Sequence, residues 1–349
     1  MSRLTAYNAR ESYRWNYEHA PDAPVVEVPP VAGRWTFCGL DVASPLGVPA
    51  GPLLNGRWVL YYAALGFDVL TYKTVRSSAR ECYPLPNLVP VDVASMDGRE
   101  DIVDETAAMD GSWAVSFGMP SAAPDVWRAD IEQTRAQLPN GKLLSVSVVG
   151  TVQEGWSIED LAADYAQCAR WAVDAGADCV ETNFSCPNVS TCDGQLYQQP
   201  ESAALVAATV RDAIGDTPYL AKIGHVADRG DAGALLAALG LHVNGLAMTN
   251  SVATRVRGRD GGQLFDGERR GICGAATREA SLAQLKLFAA ESQSRGLNLA
   301  LVAVGGASTY EHVQTYLAAG AEAVHIATAA MVEPDVALRI RRAIGEEVR

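Results

Sequence analysis

The stretch DAGADCVETNFS (residues 174–185) joins the end of a helix to a strand through a very short connector. Gly176 permits the left-handed backbone conformation that ends a helix, and the apolar and β-branched residues after it begin a strand at once. The same connector recurs in AAGAEAVH (318–325) and, more loosely, in AALGFDVL (63–70). Repeated helix–strand connections of this kind are typical of a parallel sheet.

Eight strand-like segments alternate with helical segments from about residue 45 onward. The strands are predicted at 45–51, 69–75, 143–150, 179–185, 219–224, 245–251, 299–306 and 323–329, and helices at 157–176, 201–215, 231–240, 276–295, 309–320 and 335–346. Eight strands predict an α/β fold, a (β/α)8 TIM barrel whose active site lies at the carboxyl ends of the strands. A doubly wound open sheet is the competing interpretation, but PAGPLLNG (49–56), after the first strand, is not a G-x-G-x-x-G turn.

Three segments fall outside this repeat. Residues 1–44 are expected to form an N-terminal extension packed around the barrel, which itself spans 45–349. Insertions at about 76–142 and 252–275 are rich in Gly, Pro and polar residues. We expect both insertions to be long loops over the carboxyl-terminal mouth, where substrate lids are often found.

The composition excludes several classes of protein. A net charge of −13 and a pI near 4.9 leave no basic face for nucleic acid. The sequence contains no run of 18 or more apolar residues, so we expect no membrane-spanning helix. The first residues lack the apolar stretch and the small-residue cleavage site of a secretory signal. The seven cysteines are odd in number and scattered, which favours reduced thiols in the cytoplasm.

Polar residues recur at the carboxyl ends of the predicted strands, where a buried parallel strand should be apolar. They are Lys73, Thr74, Ser145, Ser147, Asn183, Ser185, Cys186, Asn188, Lys222, Asn250, Ser251 and Thr328. A single Asn there is usually a turn former, and a single Lys can extend to the rim. Two lysines in one mouth, however, repel each other unless a phosphate or an electron-rich ring lies between them.

The last two strands suggest where a phosphate would bind. Gly305 and Gly306 end the seventh strand, and Ala327 and Thr328 end the eighth. Loops after these two strands frequently bind phosphate in barrels. A bound flavin mononucleotide (FMN) fits this pattern, because asparagines can bond the ring edges and a lysine near N1–C2=O stabilises the anionic reduced form.

Over residues 38–345 the chain resembles the dihydroorotate dehydrogenases, and more broadly the flavin barrels that include the pyrimidine-reducing domain of dihydropyrimidine dehydrogenase. The most specific motif is NFSCPN (183–188), similar to the family's N-x-S-C/S-P-N loop. The other similar segments are PLGVPAG (45–51), YKTV (72–75), YLAKIG (219–224), TNS (249–251), RGICGAA (270–276), VAVGG (302–306) and HIATA (325–329). A cysteine at position 186 resembles the soluble branch of the family.

The resemblance implies a role for each matching residue. FMN would contact Ala50, Gly51, Lys73, Thr74, Asn183, Lys222, Asn250, Gly274, Gly305, Gly306, Ala327 and Thr328. Substrate would contact Lys73, Phe117, Gly118, Met119, Asn183, Asn188, Asn250 and Ser251. Cys186 would be the general base, with Lys73 and Ser185 as further catalytic residues.

The implied reaction oxidises, or reduces, a C–C bond next to a carbonyl in a cyclic amide, foremost dihydroorotate to orotate. Cys186 as thiolate would take the proton, and hydride would pass to flavin N5. One residue departs from the pattern: in AVSFGMPS (114–121), Val115 stands where the soluble branch has a substrate-binding asparagine. A lost hydrogen bond to a buried group costs about 1–3 kcal/mol, so a paralogue acting on another dihydropyrimidine or an enone-like compound is the alternative.

Other functions are open to the same residues. A zinc site would use Cys186 and Cys192 with His225 or His325, but the C-x5-C spacing is wrong for a structural zinc site, and we expect no metal. Cys192 could replace Cys186 as base, and a non-catalytic barrel is a further alternative. We expect a small-molecule substrate, a homodimer, and neither nucleic-acid nor membrane partners; the electron acceptor is left open.

Overall fold

The computed structural model describes residues 4–185 and 192–347, without the side chains of residues 192–194 and 347. In the described residues the strands are β1 (Trp35–Phe37), β2 (Leu40–Val42), β3 (Leu46–Val48), β4 (Val69–Val75), β5 (Leu88–Asp92), β6 (Ile102–Glu105), β7 (Ser112–Val115), β8 (Leu143–Val148), β9 (Cys179–Asn183), β10 (Tyr219–Lys222), β11 (Gly245–Met248), β12 (Val252–Arg257), β13 (Arg270–Gly274), β14 (Ala300–Val304) and β15 (Ala323–His325). The α-helices are α1 (Tyr13–Glu18), α2 (Gly56–Ala64), α3 (Pro124–Gln137), α4 (Ile158–Asp174), α5 (Pro200–Ile214), α6 (Arg229–Leu239), α7 (Arg278–Ser294), α8 (Tyr310–Ala318), α9 (Thr328–Val332) and α10 (Val336–Glu347).

Eight of these strands close into a barrel, as the sequence predicts. The order around the barrel is β3, β4, β8, β9, β10, β11, β14 and β15, and β15 pairs with β3. Every neighbouring pair is parallel. The (β/α)8 prediction is confirmed, and each of the eight strands lies within its predicted segment.

The glycine connectors behave as expected from the sequence. Helix α4 begins with a capping box between Ser157 and Asp160, which satisfies backbone N–H groups that have no partner within the helix. It ends just before Gly176, whose φ is 101°. Gly320 and Gly66 have φ values of 101° and 95° at the equivalent places after α8 and α2. Glycine adopts this left-handed conformation without strain, so each helix stops and the next strand starts at once.

A hairpin closes the amino-terminal end of the barrel. Strands β1 and β2 are antiparallel, and Phe37 and Val42 pack with barrel residues that include Val69 and Cys179. The Phe37 ring also stacks on the His325 imidazole, with centroids 5.7 Å apart. The barrel interior is therefore covered at this end, and access to it lies at the carboxyl ends of the strands.

The expectation of plain loops in the two insertions is incomplete. Both contain strands, and β12, β13, β7, β5 and β6 form a second sheet that closes on itself. Strand β7 of the first insertion pairs with β13 of the second, Gly271 opposite Val115. Alternate residues, among them Ala114 and Ile272, form a small apolar core inside this sheet. The two insertions stabilise each other because each supplies pairing partners that the other lacks.

The segment before the hairpin packs against the barrel. The Tyr7 amide donates to the Met331 carbonyl at 3.1 Å, and the Trp58 indole donates to the Asn16 carbonyl at 3.0 Å. The Tyr7 and Tyr13 rings each form a T-shaped pair with the Phe117 ring, with centroids 6.2 and 5.9 Å apart. The aromatic residues of the N-terminal extension thus form intramolecular packing contacts above the barrel mouth.

Candidate active site

Two adjoining cavities lie at the carboxyl ends of the barrel strands. We call them the inner cavity, of about 120 Å³, and the outer cavity, of about 310 Å³. The second sheet covers the inner cavity, whereas the outer cavity opens between the ends of β13, β14 and β15. Both are lined by Asn250, Cys273, Val304, Ala327 and Thr328, so they form one cleft.

Most residues singled out from the sequence line this cleft. The inner cavity is lined by Ala50, Gly51, Lys73, Thr74, Phe117, Gly118, Met119, Asn183, Lys222, Asn250, Ser251, Ala327 and Thr328. The outer cavity is lined by Gly274, Gly305 and Gly306 with Ala327, Thr328 and Asn250. Ser185 contacts Asn183 and Asn250 beside the cleft. Cys186 and Asn188 lie outside the described residues, so their roles stay predictions.

Two lysines, Lys73 and Lys222, line the inner cavity on the side of the barrel strands. Lys222 is 2% exposed and its Nζ lies 3.5 Å from the Ala50 carbonyl oxygen at the end of the β3 segment. Lys73 is 6% exposed, and its backbone N–H donates to the Leu53 carbonyl at 2.9 Å. An ammonium loses most of its hydration at such sites, so an anionic or electron-rich ligand above both lysines would be stabilised.

Side-chain amides connect the strand ends around these lysines. The Asn183 Nδ2 lies 3.5 Å from the Thr74 hydroxyl, which lies 3.1 Å from that of Ser147. The Asn183 Oδ1 accepts from the Ser185 backbone N–H at 3.2 Å. From the far side, Asn250 Nδ2 donates to the Ser185 carbonyl at 2.7 Å. The two asparagines therefore hold the backbone that leads directly into residue 186.

The outer cavity is built from glycine backbone and one buried hydroxyl. A Cβ on Gly274 would lie 2.1 Å from the Gly111 carbonyl oxygen, and one on Gly306 would lie 2.7 Å from the Gly274 carbonyl oxygen. The Thr328 hydroxyl is buried without a hydrogen-bond partner in the part of the chain that the structure describes. Asp110 and Glu333 also line the cavity, and Arg339 forms an ion pair with Glu333.

The second sheet provides an apolar wall that was not anticipated. Leu88, Trp113, Val115, Gly271 and Cys273 face the inner cavity from alternate positions of β5, β7 and β13. Burial raises the pKa of the Cys273 thiol to about 11, against the opposing effect of the Lys222 charge. Cys273 is thus held protonated and is a poor proton acceptor. The short apolar run WAV at 113–115 was the available signal for a strand here.

Glu181 is a further residue that sequence reasoning missed. It lies in the stretch DAGADCVETNFS, two residues before Asn183 on β9, and its side chain has no exposed surface. A carboxylate within a buried strand was visible in the sequence and is costly without a partner.

Neither a metal cluster nor a membrane helix is found among the described residues. No group of three His, Cys, Asp or Glu side chains in the described ranges could hold a metal ion. The zinc hypothesis depends on Cys186 and on the Cys192 side chain, which fall outside the described part. In those same ranges, every helix is too short or too polar to cross a lipid bilayer.

Sequence comparison identifies the family. The family model described as dihydroorotate dehydrogenase matches residues 34–348. The chain belongs to the dihydroorotate dehydrogenase family. It is therefore an oxidoreductase acting on CH–CH groups, and the expected family resemblance is confirmed.

Individual relatives agree with this assignment. A dihydroorotate dehydrogenase of Dictyostelium discoideum is 32% identical over 320 residues, 87% of this chain and 86% of the relative. A dihydroorotate dehydrogenase (quinone) of Kineococcus radiotolerans is 28% identical and covers 98% of this chain and 92% of its own length. The crystal structure of the Eimeria tenella enzyme with ferulenol has a TM-score of 0.75 at 17% identity, covering 96% of this chain and 89% of that one. This last likeness shows the shared fold.

Proposed function

We propose that the chain is an FMN-dependent dihydroorotate dehydrogenase that converts dihydroorotate to orotate. The observation that carries the proposal is the continuous cleft, in which two buried lysines and two asparagines line the inner cavity and glycine backbone lines the outer cavity. Family membership supports it, since the relatives that match over most of the chain are named for this reaction.

The residues fit FMN at both ends of the cleft. Gly274 and Gly306 leave no room for a Cβ, so their backbone can approach a phosphate closely, and the Thr328 hydroxyl can donate to it. Lys73 and Lys222 would hold the electron-rich end of the ring, and Asn183 and Asn250 would bond its polar edge or the substrate. When bound, FMN supplies the hydride acceptor of the reaction.

The remaining chemistry requires a proton acceptor beside the substrate. We assign this role to Cys186, because the preceding residues, 183–185, lie at the rim of the inner cavity. The side chains of Asn183 and Asn250 hydrogen-bond to the backbone of Ser185 there. Lys73 and Lys222, which line the inner cavity, would favour a thiolate at its rim. Ser251 and the backbone of residues 117–119 would orient the substrate ring, since all of them line the inner cavity.

A second candidate substrate class follows from Val115. Its side chain faces the inner cavity within the apolar wall of Leu88, Trp113 and Cys273. An apolar wall disfavours a carboxylate or amide that loses its hydrogen-bond partner there. A paralogue that oxidises or reduces another dihydropyrimidine or an enone-like compound is therefore the alternative function.

One set of experiments separates these possibilities. A yellow preparation with bound FMN is expected, and a colourless protein that cannot be reconstituted would point to the non-catalytic barrel. An anaerobic screen of dihydroorotate, dihydrouracil and related cyclic amides, followed by flavin bleaching, identifies the substrate. Cys186→Ala and Cys186→Ser should slow single-turnover reduction by orders of magnitude while FMN stays bound; unchanged rates would remove Cys186 from the proton-transfer role.

We further propose a cytoplasmic homodimer. The cysteines 38, 82, 168, 179 and 273 are free thiols, which suits a reducing compartment. The homodimer rests on the sequence prediction, and light scattering of the purified holoenzyme tests it.

A further inference from the structure

The eight barrel strands carry very few ionisable side chains. Across β3, β4, β8, β9, β10, β11, β14 and β15 the one carboxylate is Glu181, the two ammonium groups are Lys73 and Lys222, and the one imidazole is His325. Interiors of such barrels are normally filled with bulky apolar residues. A carboxylate at the centre of this barrel therefore calls for a physical explanation.

Glu181 and Lys222 are neighbours inside the barrel. Strand β9 pairs with β10 so that Glu181 is opposite Leu220 and Asn183 is opposite Lys222. Glu181 shares its face of β9 with Cys179 and Asn183, which pack in the barrel interior and line the inner cavity, respectively. Lys222 thus lies between Glu181 below and the inner cavity above.

Glu181 has no other charge partner on the strands. Its side chain is 0% exposed, and neither carboxylate oxygen has a hydrogen-bond partner within the described ranges. Burial raises the pKa of Glu181, and the positive charge of Lys222 opposes that rise. The protonation of Glu181 therefore depends on how much of the Lys222 charge it experiences.

Two of the titratable groups around Glu181, His325 and Cys273, keep their protonation near neutral pH. On β15, burial and the Lys222 charge lower the pKa of His325 to about 3, so the imidazole is neutral. On β13, burial holds the pKa of Cys273 at about 11. Lys73 lies on β4 at the mouth, and Cys179 lies below Glu181 on β9. The groups on β8 that face Glu181 are the hydroxyls of Ser145 and Ser147, which do not titrate in this range.

Two hydroxyls lie between the strand position of Glu181 and the cleft. Ser147 on β8 is directly opposite Glu181. Its hydroxyl lies 3.1 Å from that of Thr74, which lines the inner cavity. Hydroxyl groups donate and accept at once, so we take this pair, which ends opposite Glu181, as the route of the proton between the cleft and the carboxylate.

We propose that Glu181 takes up a proton when the group held above Lys222 becomes an anion, and releases it when that group becomes neutral again. Lys222 acts as the shared counter-charge: it balances Glu181 while the ligand is neutral and balances the ligand once the ligand is charged. Glu181 is thus a positioning residue for charge, and it acts through Lys222. This inference rests on the proposed function, because it takes the group above Lys222 to be FMN.

The step balances in electrons, protons and charge. Reduction by a hydride brings two electrons and one proton and leaves an anion above Lys222. The second proton comes from solvent, enters through the cleft and binds the Glu181 carboxylate, so two electrons and two protons are taken up in all. The net charge of the barrel interior stays constant, which a low-dielectric interior strongly favours.

The test is the pH dependence of the flavin midpoint potential in the holoenzyme, measured by dye-mediated reductive titration without substrate. Each proton taken up with two electrons changes the potential by about 30 mV per pH unit. Between about pH 6 and pH 8 the wild type should therefore show about 60 mV per pH unit and Glu181→Gln about 30. The matched control is Glu322→Gln, because burial also raises the pKa of Glu322, which lies at the other end of the barrel and accepts from Thr36 at 2.9 Å. This variant should keep the wild-type slope.

Infrared difference spectra give a second readout. Reduction of the wild type should produce a protonated-carboxyl band that Glu181→Gln lacks. A wild-type slope of about 30 mV per pH unit, or about 60 in both wild type and Glu181→Gln, would overturn the inference. Even if the variant does not fold, a wild-type slope of about 60 mV per pH unit together with the carboxyl band supports the inference, and a slope of about 30 or a missing band overturns it. A protein that binds no FMN would overturn the proposed function as well, whereas a wrong slope with FMN bound overturns this inference alone.

Discussion

Asn250 donates a hydrogen bond of 2.7 Å from its side-chain amide to the backbone carbonyl of Ser185. The bond ties the end of the sixth barrel strand to the end of the fourth, immediately before residue 186. Because Asn250 also lines both cavities, it couples the shape of the cleft to the backbone that carries the proposed base.

We expect Asn250→Leu to slow single-turnover flavin reduction by about 10- to 100-fold. Leucine has a similar size but cannot donate, so the Ser185 carbonyl loses its partner at a cost of about 1–3 kcal/mol. Hydrogen exchange at the Phe184 and Ser185 amides should become faster in the same variant. Asn140→Leu, at an exposed turn before β8, is the control and should change neither quantity. An unchanged exchange rate in Asn250→Leu would show that the bond does not hold this segment.

Gly274→Ala should weaken FMN binding strongly. The new Cβ would lie 2.1 Å from the Gly111 carbonyl oxygen, and Gly274 has a φ of 102°, which alanine adopts only with strain. We expect the dissociation constant of FMN, measured by quenching of flavin fluorescence, to rise at least about tenfold, because two unfavourable effects of about 1 kcal/mol or more combine.

The control for this substitution is Gly155→Ala. Gly155 has a φ of 81°, but no atom lies within 4 Å of the position that its Cβ would take, so it shares the backbone strain without the collision. It should lose some thermal stability and retain FMN affinity. Equal loss of affinity in both variants would argue against a close backbone approach at Gly274.

The barrel could be predicted because its signals are local. Gly176 and Gly320 mark helix ends within a few residues of the following strand, and parallel strands place their carboxyl ends together. Lys73, Lys222 and Asn250 were therefore expected in one mouth, although they are far apart along the chain. Membership of the family adds independent support to the same architecture.

The second sheet could not be predicted in this way. Strand β7 pairs with β13, and Val115 lies opposite Gly271, more than a hundred residues later in the chain. Nothing local to either insertion reveals such a partner, so their Gly- and Pro-rich composition suggested loops. Glu181 was missed for a related reason: its position in a buried strand was predictable, but its neighbour Lys222 is on another strand.

Val115→Asn tests the substrate assignment directly. If dihydroorotate binds in the inner cavity, the new amide gains a hydrogen bond worth about 0.5–1.5 kcal/mol, and KM should fall about 2- to 10-fold while kcat stays nearly unchanged. Val126→Asn, on the exposed side of α3, is the matched control. A KM that rises in Val115→Asn would favour a substrate with an apolar group against this wall.

His325 should make the protein less stable in mild acid. Its folded-state pKa is lowered to about 3 by burial, whereas the unfolded chain binds a proton near pH 6.5. Below pH 6.5 the unfolded state therefore binds more protons than the folded state, and stability falls as pH decreases toward 3. At about pH 5.5, one unit below the pKa of His325 in the unfolded chain, the free energy of unfolding is lower by about 1.4 kcal/mol.

We expect His325→Gln to remove this part of the pH dependence. The glutamine variant has its own packing cost, so the quantity to compare is the change in the free energy of unfolding between about pH 7.5 and pH 5.5, obtained from urea titrations. That change should be smaller than in wild type by about 1 kcal/mol. His19→Gln, at an exposed histidine, should behave as wild type. Glu181 is unchanged in both variants, so its opposing contribution to the pH dependence of stability cancels in the comparison. If His325→Gln lost as much stability as the wild type between these pH values, the buried imidazole would have to accept a proton in the folded protein.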